Sequence, residues 1–267
     1  MIINVLSLFD GMSCGQLALQ RIGIQDYQYY ASEIDKYAIQ VTQQNFPETI
    51  QLGDIQTVNV DSLPAIDLLM AGSPCQGFSF AGKQLAFDDP RSKLFFEFVR
   101  ILRECKPKYF LLENVRMKQE HLDIISEHVG VKPILINSAL VSAQNRQRYY
   151  WTNIPNVVQP VDKKLILSDI IENDDTVDRS KAHCLDANYY KGGNLNSYFN
   201  KHRRQLVFCS AIDKKITYRK LTPVECERLQ TVPDNYTAGV SNTQRYKMLG
   251  NGWTVDVIAH ILQGIKW

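Results

Sequence analysis

The sequence predicts an α/β protein built on a doubly wound, mostly parallel sheet, with a small polar module set into it. Two observations lead there. The first half of the chain alternates short apolar runs with segments of helical periodicity. That alternation then breaks at Asn153-Ile154-Pro155, and the composition stays polar to about residue 221.

The elements follow in order. Residues 2–9 read as a first strand, followed by a glycine-containing turn and a helix over 16–22. Residues 28–32 read as a second strand and 36–45 as a second helix. The runs 66–71 and 108–113 are nearly continuously apolar, as expected of strands covered on both faces. Between them, Leu94, Phe95, Phe98, Val99, Ile101 and Leu102 recur at helical spacing. Further strands are expected at 134–141 and 148–152. Thr222-Pro223 with Glu225 has the form of a capping box opening a helix. The last segment, 253–267, carries Val255, Ile258, Ala259 and Leu262 on one helical stripe and is expected to return to the first domain. The expected organisation is therefore residues 1–154 plus 222–267 as the larger domain and 155–221 as the module.

The 267 residues are 45% hydrophobic, enough to bury a sizeable core, and no apolar run approaches the length of a membrane span. Six cysteines form no CxxC pair, which points to reduced thiols, no metal centre and a cytosolic setting. The net charge of +2 is uninformative, but residues 191–220 hold eight Lys or Arg against one acid. Such a cluster suits a surface facing phosphates, and equally a solvated basic face.

Several segments carry chemistry. Phe9-Asp10-Gly11-Met12-Ser13-Cys14-Gly15 forms a turn from strand to helix without the GxGxxG spacing of a dinucleotide site. Glu33, after the second strand, is placed to accept hydrogen bonds from ribose hydroxyls, and Asp54-Ile55 to face an adenine edge. Together these favour a nucleoside cofactor lacking a pyrophosphate. Cys75, in Ser73-Pro74-Cys75-Gln76-Gly77-Phe78-Ser79, follows a strand end, where open α/β sheets bind ligands. Glu113 ends an apolar strand, where a carboxyl could be desolvated and held protonated, or could simply start a helix. Arg146 and Arg148, two apart on an extended segment, would point the same way and suit a base carbonyl and a phosphate.

Taken in order, these segments resemble the motifs of the C5-cytosine DNA methyltransferases. Residues 9–15 resemble the S-adenosyl-L-methionine turn, 73–79 the nucleophile loop, 113–115 the acid motif and 144–148 the paired-arginine motif. Residues 222–237 and 250–257 resemble the two C-terminal motifs, so the likeness runs from about residue 5 to 260, excepting the middle of the module. It departs from the family where Ser13-Cys14-Gly15 stands without the common double glycine and where Gly252-Trp253 replaces the usual Ser-Val of bacterial enzymes. The tryptophan, the run 94–98 and residues 148–153 are similar to the catalytic domain of animal de novo enzymes; the lack of an N-terminal regulatory region suggests a bacterial or phage protein.

The resemblance implies a Rossmann-like methyltransferase with an inserted target-recognition module. Cys75 would add to carbon 6 of a flipped-out cytosine, Glu113 would contact N3 and the exocyclic amine, Arg148 the base carbonyl, and Arg146 the closed loop or phosphates. S-adenosylmethionine, leaving as S-adenosylhomocysteine, would be held by Phe9, Asp10, Gly11, Ser13, Gly15, Glu33, Ile34, Asp54, Ile55, Pro74, Asn251 and Trp253. Duplex DNA would meet Gln76 and Ser79 in the loop and Lys191, Gly192, Gly193, Lys201, Arg203 and Arg204 in the module. A monomer or weak dimer, with a cognate restriction endonuclease as a partner and no membrane association, completes the expectation. A tRNA cytosine methyltransferase and a non-catalytic nucleic-acid-binding protein are the rival readings.

Overall fold

The computed structural model describes residues 2–73, 90–173, 175–212 and 215–267. Its contacts divide them into two compact units. The first comprises residues 1–136, 147–158 and 261–267; the second comprises 137–146 and 159–260.

The first unit carries the sheet. Its strands are β1 (Ile3–Leu8), β2 (Tyr27–Ser32), β3 (Ile50–Gln51), β4 (Leu68–Gly72), β5 (Tyr109–Val115), β6 (Ile134–Asn137) and β7 (Gln147–Thr152). Helices α1 (Cys14–Arg21), α2 (Lys36–Asn45), α3 (Pro90–Cys105) and α4 (Gln119–Val129) connect them. The order β3-β2-β1-β4-β5-β7-β6 reverses direction at β1 and β4, and the pairs from β3 to β5 are parallel. β7 runs antiparallel to β5. A doubly wound sheet of this kind opens its ligand crevice at the carboxyl ends of the strands flanking that reversal.

Helices on both faces explain the apolar runs of the sequence. Leu68, Leu69, Met70 and Ala71 of β4 are fully buried, as are Leu111 and Leu112 of β5. Leu6, Leu8, Leu69 and Leu112 pack against Phe95, Phe98 and Ile101 of α3 and Trp151 of β7 in one core. Burying each of these side chains contributes roughly 1.5–3 kcal/mol. The C-terminal residues belong here too: Lys108 Nζ donates to the Lys266 carbonyl at 2.8 Å.

The second unit holds α5 (Leu195–Lys201), the antiparallel hairpin of β8 (Leu206–Ile212) and β9 (Lys215–Lys220), α6 (Pro223–Leu229) and α7 (Asn242–Asn251). Helix α8 (Val255–Leu262) leads the chain out of it. This unit is wider than the 155–221 module expected from composition, and buried charges tie β9 to α6 and α6 to α7. Glu225, with no exposed surface, pairs with Arg219 of β9 at 2.8 Å and closes the capping box with Thr222. Glu227, equally buried, pairs with Arg245 of α7 at 2.9 Å. Among the described residues no helix is long and apolar enough to cross a membrane.

Candidate active site

The turn from β1 to α1 is held in an uncommon backbone. Phe9, Gly11 and Ser13 have φ of 56°, 59° and 59°, a region that costs L side chains about 1–2 kcal/mol each. The Gly11 N–H donates to Glu33 Oε2 at 2.8 Å, so the carboxylate after β2 locks the turn. Glu33 Oε1 accepts from the N–H groups of Ile34 and Asp35, both at 2.8 Å. A carboxylate offers roughly four acceptor positions, and these three bonds leave room for a ligand hydroxyl. Ile34 beside it is 74% exposed, an apolar surface suited to a base. A Cβ on Gly11 or on Gly53 (φ +74°) would meet nothing within 4 Å, so the space over both backbones is open. Asp54 caps the short turn that follows, accepting from the Gln56 N–H at 3.0 Å, while Ile55 points into the core. These features fit a nucleoside.

Two residues of the turn face inward. Ser13 and Asp10 are buried, and the Asp10 carboxylate accepts from the Ser13 and Tyr29 hydroxyls. Gly15 serves packing: a Cβ there would lie 2.6 Å from both Met70 Cε and the Tyr29 hydroxyl, so any larger residue would make those side chains shift.

The second cluster lies where β4, β5 and β7 meet. Register pairs Glu113 with Gly72 of β4 and with Tyr150 of β7. Arg148, two residues before Tyr150, is the diagonal neighbour on the same face, and its Nε donates to Glu113 Oε1 at 2.9 Å. Both side chains are largely buried, at 14% and 11% exposure. The acid expected at a strand end lies within β5 and has an arginine as partner. Next to it Asn114 Nδ2 donates to Ser73 Oγ at 3.1 Å, both groups buried. Ser73 immediately precedes Pro74, Cys75, Gln76 and Ser79, which lie outside the described residues.

The second unit corrects one expectation. Arg146 does not share an extended face with Arg148: it precedes β7, is 3% exposed, and its guanidinium donates to the carbonyls of Leu185 (2.9 Å), Gly250 (3.2 Å) and Gly252 (2.8 Å). Its charge organises backbone and is not presented to phosphate. Gly192 and Gly193, expected to meet DNA, are half-buried. Gly193 packs against β8, where a Cβ would meet the Arg204 carbonyl at 2.9 Å, and Arg204 Nη1 donates to the Gly192 carbonyl at 3.1 Å. Lys191, Lys201 and Arg203 are exposed, Arg203 paired with Asp186 at 3.0 Å. Asn251 ends α7 exposed, and Trp253 is buried. Among the described residues no three His, Cys, Asp or Glu side chains group to hold a metal.

The sequence profile of the C-5 cytosine-specific DNA methylases matches residues 3–176 and 143–267, nearly the whole chain. The chain belongs to this family. Among its relatives, the type II methyltransferase M1.ScrFI of Lactococcus lactis subsp. cremoris is 32% identical over 88% of this chain and 70% of its own. The type II methyltransferase M.HhaI of Haemophilus parahaemolyticus is 29% identical over 98% of this chain and 94% of its own. A crystal structure of Spodoptera frugiperda DNMT2, 22% identical, superposes with a TM-score of 0.73 over 98% of this chain and 99% of that one, sharing the fold.

For a C-5 cytosine methylase, two site-supporting residues are not apparent from sequence. Asn114 stands out there only as the neighbour of Glu113, yet it ties β5 to Ser73, two residues before Cys75. Gln230 is fully buried and donates to the carbonyls of Leu249 (2.6 Å) and Gly252 (3.1 Å), holding the segment around Asn251. An amide following the apolar Leu229 has no pattern to distinguish it from a surface residue.

Proposed function

We propose that this methylase transfers a methyl group to carbon 5 of cytosine in duplex DNA, with Cys75, Glu113 and Arg148 acting on the base. The Glu113–Arg148 pair, 2.9 Å apart beside the strand that leads to Cys75, carries the reading. Carbon 5 is a weak nucleophile until a thiolate adds to carbon 6 and pushes electron density onto it. Cys75 supplies that thiolate. Glu113 holds N3 and the exocyclic amine and gives the proton that neutralises charge developing on the ring. Arg148 orients the Glu113 carboxylate and, in this reading, donates to the base carbonyl. S-adenosylmethionine, when bound, supplies the methyl group. Glu33, Ile34, Gly11 and Asp54 are the residues to hold it. Water then takes the carbon 5 proton, the 5,6 double bond re-forms, and the bond from carbon 6 to sulfur breaks to release Cys75 as the thiolate. The ring is unreachable within a stacked duplex, so the base is flipped out first.

Lys191, Lys201 and Arg203 of the second unit would meet phosphates. The type II names of the relatives support a restriction–modification setting with a cognate endonuclease; in this reading the enzyme acts in the cytoplasm as a monomer or weak dimer. Methyl transfer from labelled S-adenosylmethionine should appear on duplex DNA and not on tRNA, and bisulfite sequencing of that DNA should reveal the target site. Label on tRNA alone would overturn the reading.

A further inference from the structure

Ser13 stands at the N-terminus of α1 with φ 59° and ψ 44°, a left-handed backbone usually left to glycine. As an N-cap its hydroxyl would be expected to accept from the helix, but it makes no such bond. Instead Gln16 Nε2 donates to Ser13 Oγ at 3.2 Å, which leaves the Ser13 proton to go to Asp10. Tyr29 donates its hydroxyl to the other Asp10 oxygen at 2.8 Å. Gln16 is itself fixed, donating to Thr49 Oγ1 at 2.8 Å and accepting from the Tyr27 hydroxyl at 3.3 Å. The hydroxyl protons of Ser13 and Tyr29 thus converge on the Asp10 carboxylate, one residue before the Gly11 N–H that Glu33 engages.

We propose that Asp10 and Ser13 act as a positioning pair that replaces glycine in the cofactor turn: the hydroxyl–carboxylate bond holds the backbone left-handed at Ser13. The pair would shape the turn without touching the ligand itself. This rests on the reading that the turn binds S-adenosylmethionine. The hydroxyl compensates a strain that an alanine would suffer unrelieved and a glycine would not have. Strain at a ligand clamp persists only where its surroundings over-determine it, and here Asp10, Gln16 and Tyr29 do so.

Calorimetry with S-adenosylhomocysteine and thermal unfolding of the ligand-free protein test the pair in Ser13→Ala and Ser13→Gly. Ser13→Ala should bind about tenfold more weakly and unfold at a lower temperature, the scale set by a left-handed non-glycine residue. Ser13→Gly should recover most of both losses. In turnover, Ser13→Ala should raise KM for S-adenosylmethionine while kcat at saturation holds. Adding Ser13→Ala to Asp10→Ala should cost little more than Asp10→Ala alone. A Ser13→Ala protein that matches wild type overturns the proposal. So does Ser13→Gly impaired as deeply as Ser13→Ala, since the hydroxyl would then be acting on the ligand. If wild type fails to bind S-adenosylhomocysteine, the reading of the turn fails; the order of unfolding temperatures still decides the pair.

Discussion

Burial pushes the Asp10 carboxyl up from 3.8 to about 6, against hydrogen bonds from Ser13 and Tyr29 that favour the charged form, while the Glu33 charge adds to the rise. A carboxyl raised in the folded state binds more protons there than in the unfolded chain. Its contribution to stability is therefore complete below about 4 and is lost as pH rises through about 6. Asp10→Asn removes this loss, so by urea unfolding its stability relative to wild type should be greater at pH 7.5 than at pH 4.5, by about 2 kcal/mol. No change in the difference between those pH values would contradict the assignment. Glu113 and Arg148 differ, because each partners the other in a confined space. Removing one partner of such a pair leaves an uncompensated charge. Glu113→Gln should lower kcat about 10²- to 10⁴-fold in single-turnover methyl transfer. Arg148→Lys keeps the charge but not the planar fork, and should also lose activity.

At the level of elements, the sequence is most legible where burial imposes a pattern. The apolar runs form β4 and β5, and Lys36–Asn45 forms α2 with the bounds its periodicity predicts. Local side-chain chemistry is harder to read. The strand expected over 134–141 stops at Asn137, because its side-chain oxygen accepts from the Ala139 N–H at 3.1 Å and turns the chain into a single helical turn. α4 is not among the expected helices, although Leu122, Ile125 and Val129 form a narrow buried stripe on it. Packing at α1 is the element-level claim most open to test. Gly15→Ala would press a methyl onto Met70 and the Tyr29 hydroxyl, both 2.6 Å away. It should destabilise the protein by about 1–3 kcal/mol in denaturant unfolding, and weaken S-adenosylhomocysteine binding through Tyr29 and Asp10. An unaffected variant would show that α1 shifts without consequence.

At the level of the whole molecule, composition locates a basic, polar stretch but not the use of its charges. Arg219 is spent on Asp175 and Glu225, and Lys220 donates to the Tyr190 carbonyl at 3.0 Å. Net charge cannot separate such internal partners from exposed Lys191 and Lys201, since pairing depends on acids as distant as Asp175. Replacing Lys191 or Lys201 by alanine should weaken DNA binding evenly across sequences and reduce the slope of log K against log salt by about 1 for each phosphate no longer engaged. Arg219→Ala should instead lower the unfolding temperature. The family is legible in the sequence because its short motifs stand in order along the chain, although Glu113 lies within β5 and not at its end. Asn114, Gln230 and the Glu113–Arg148 bond are not, being products of register and close packing. The central claim is that Cys75 adds to the cytosine ring, and trapping tests it most directly. With S-adenosylmethionine present, duplex DNA carrying 5-fluorocytosine at the target position should form a denaturation-resistant adduct with wild type and none with Cys75→Ser. An adduct in Cys75→Ser, or none in an active wild type, would contradict the account.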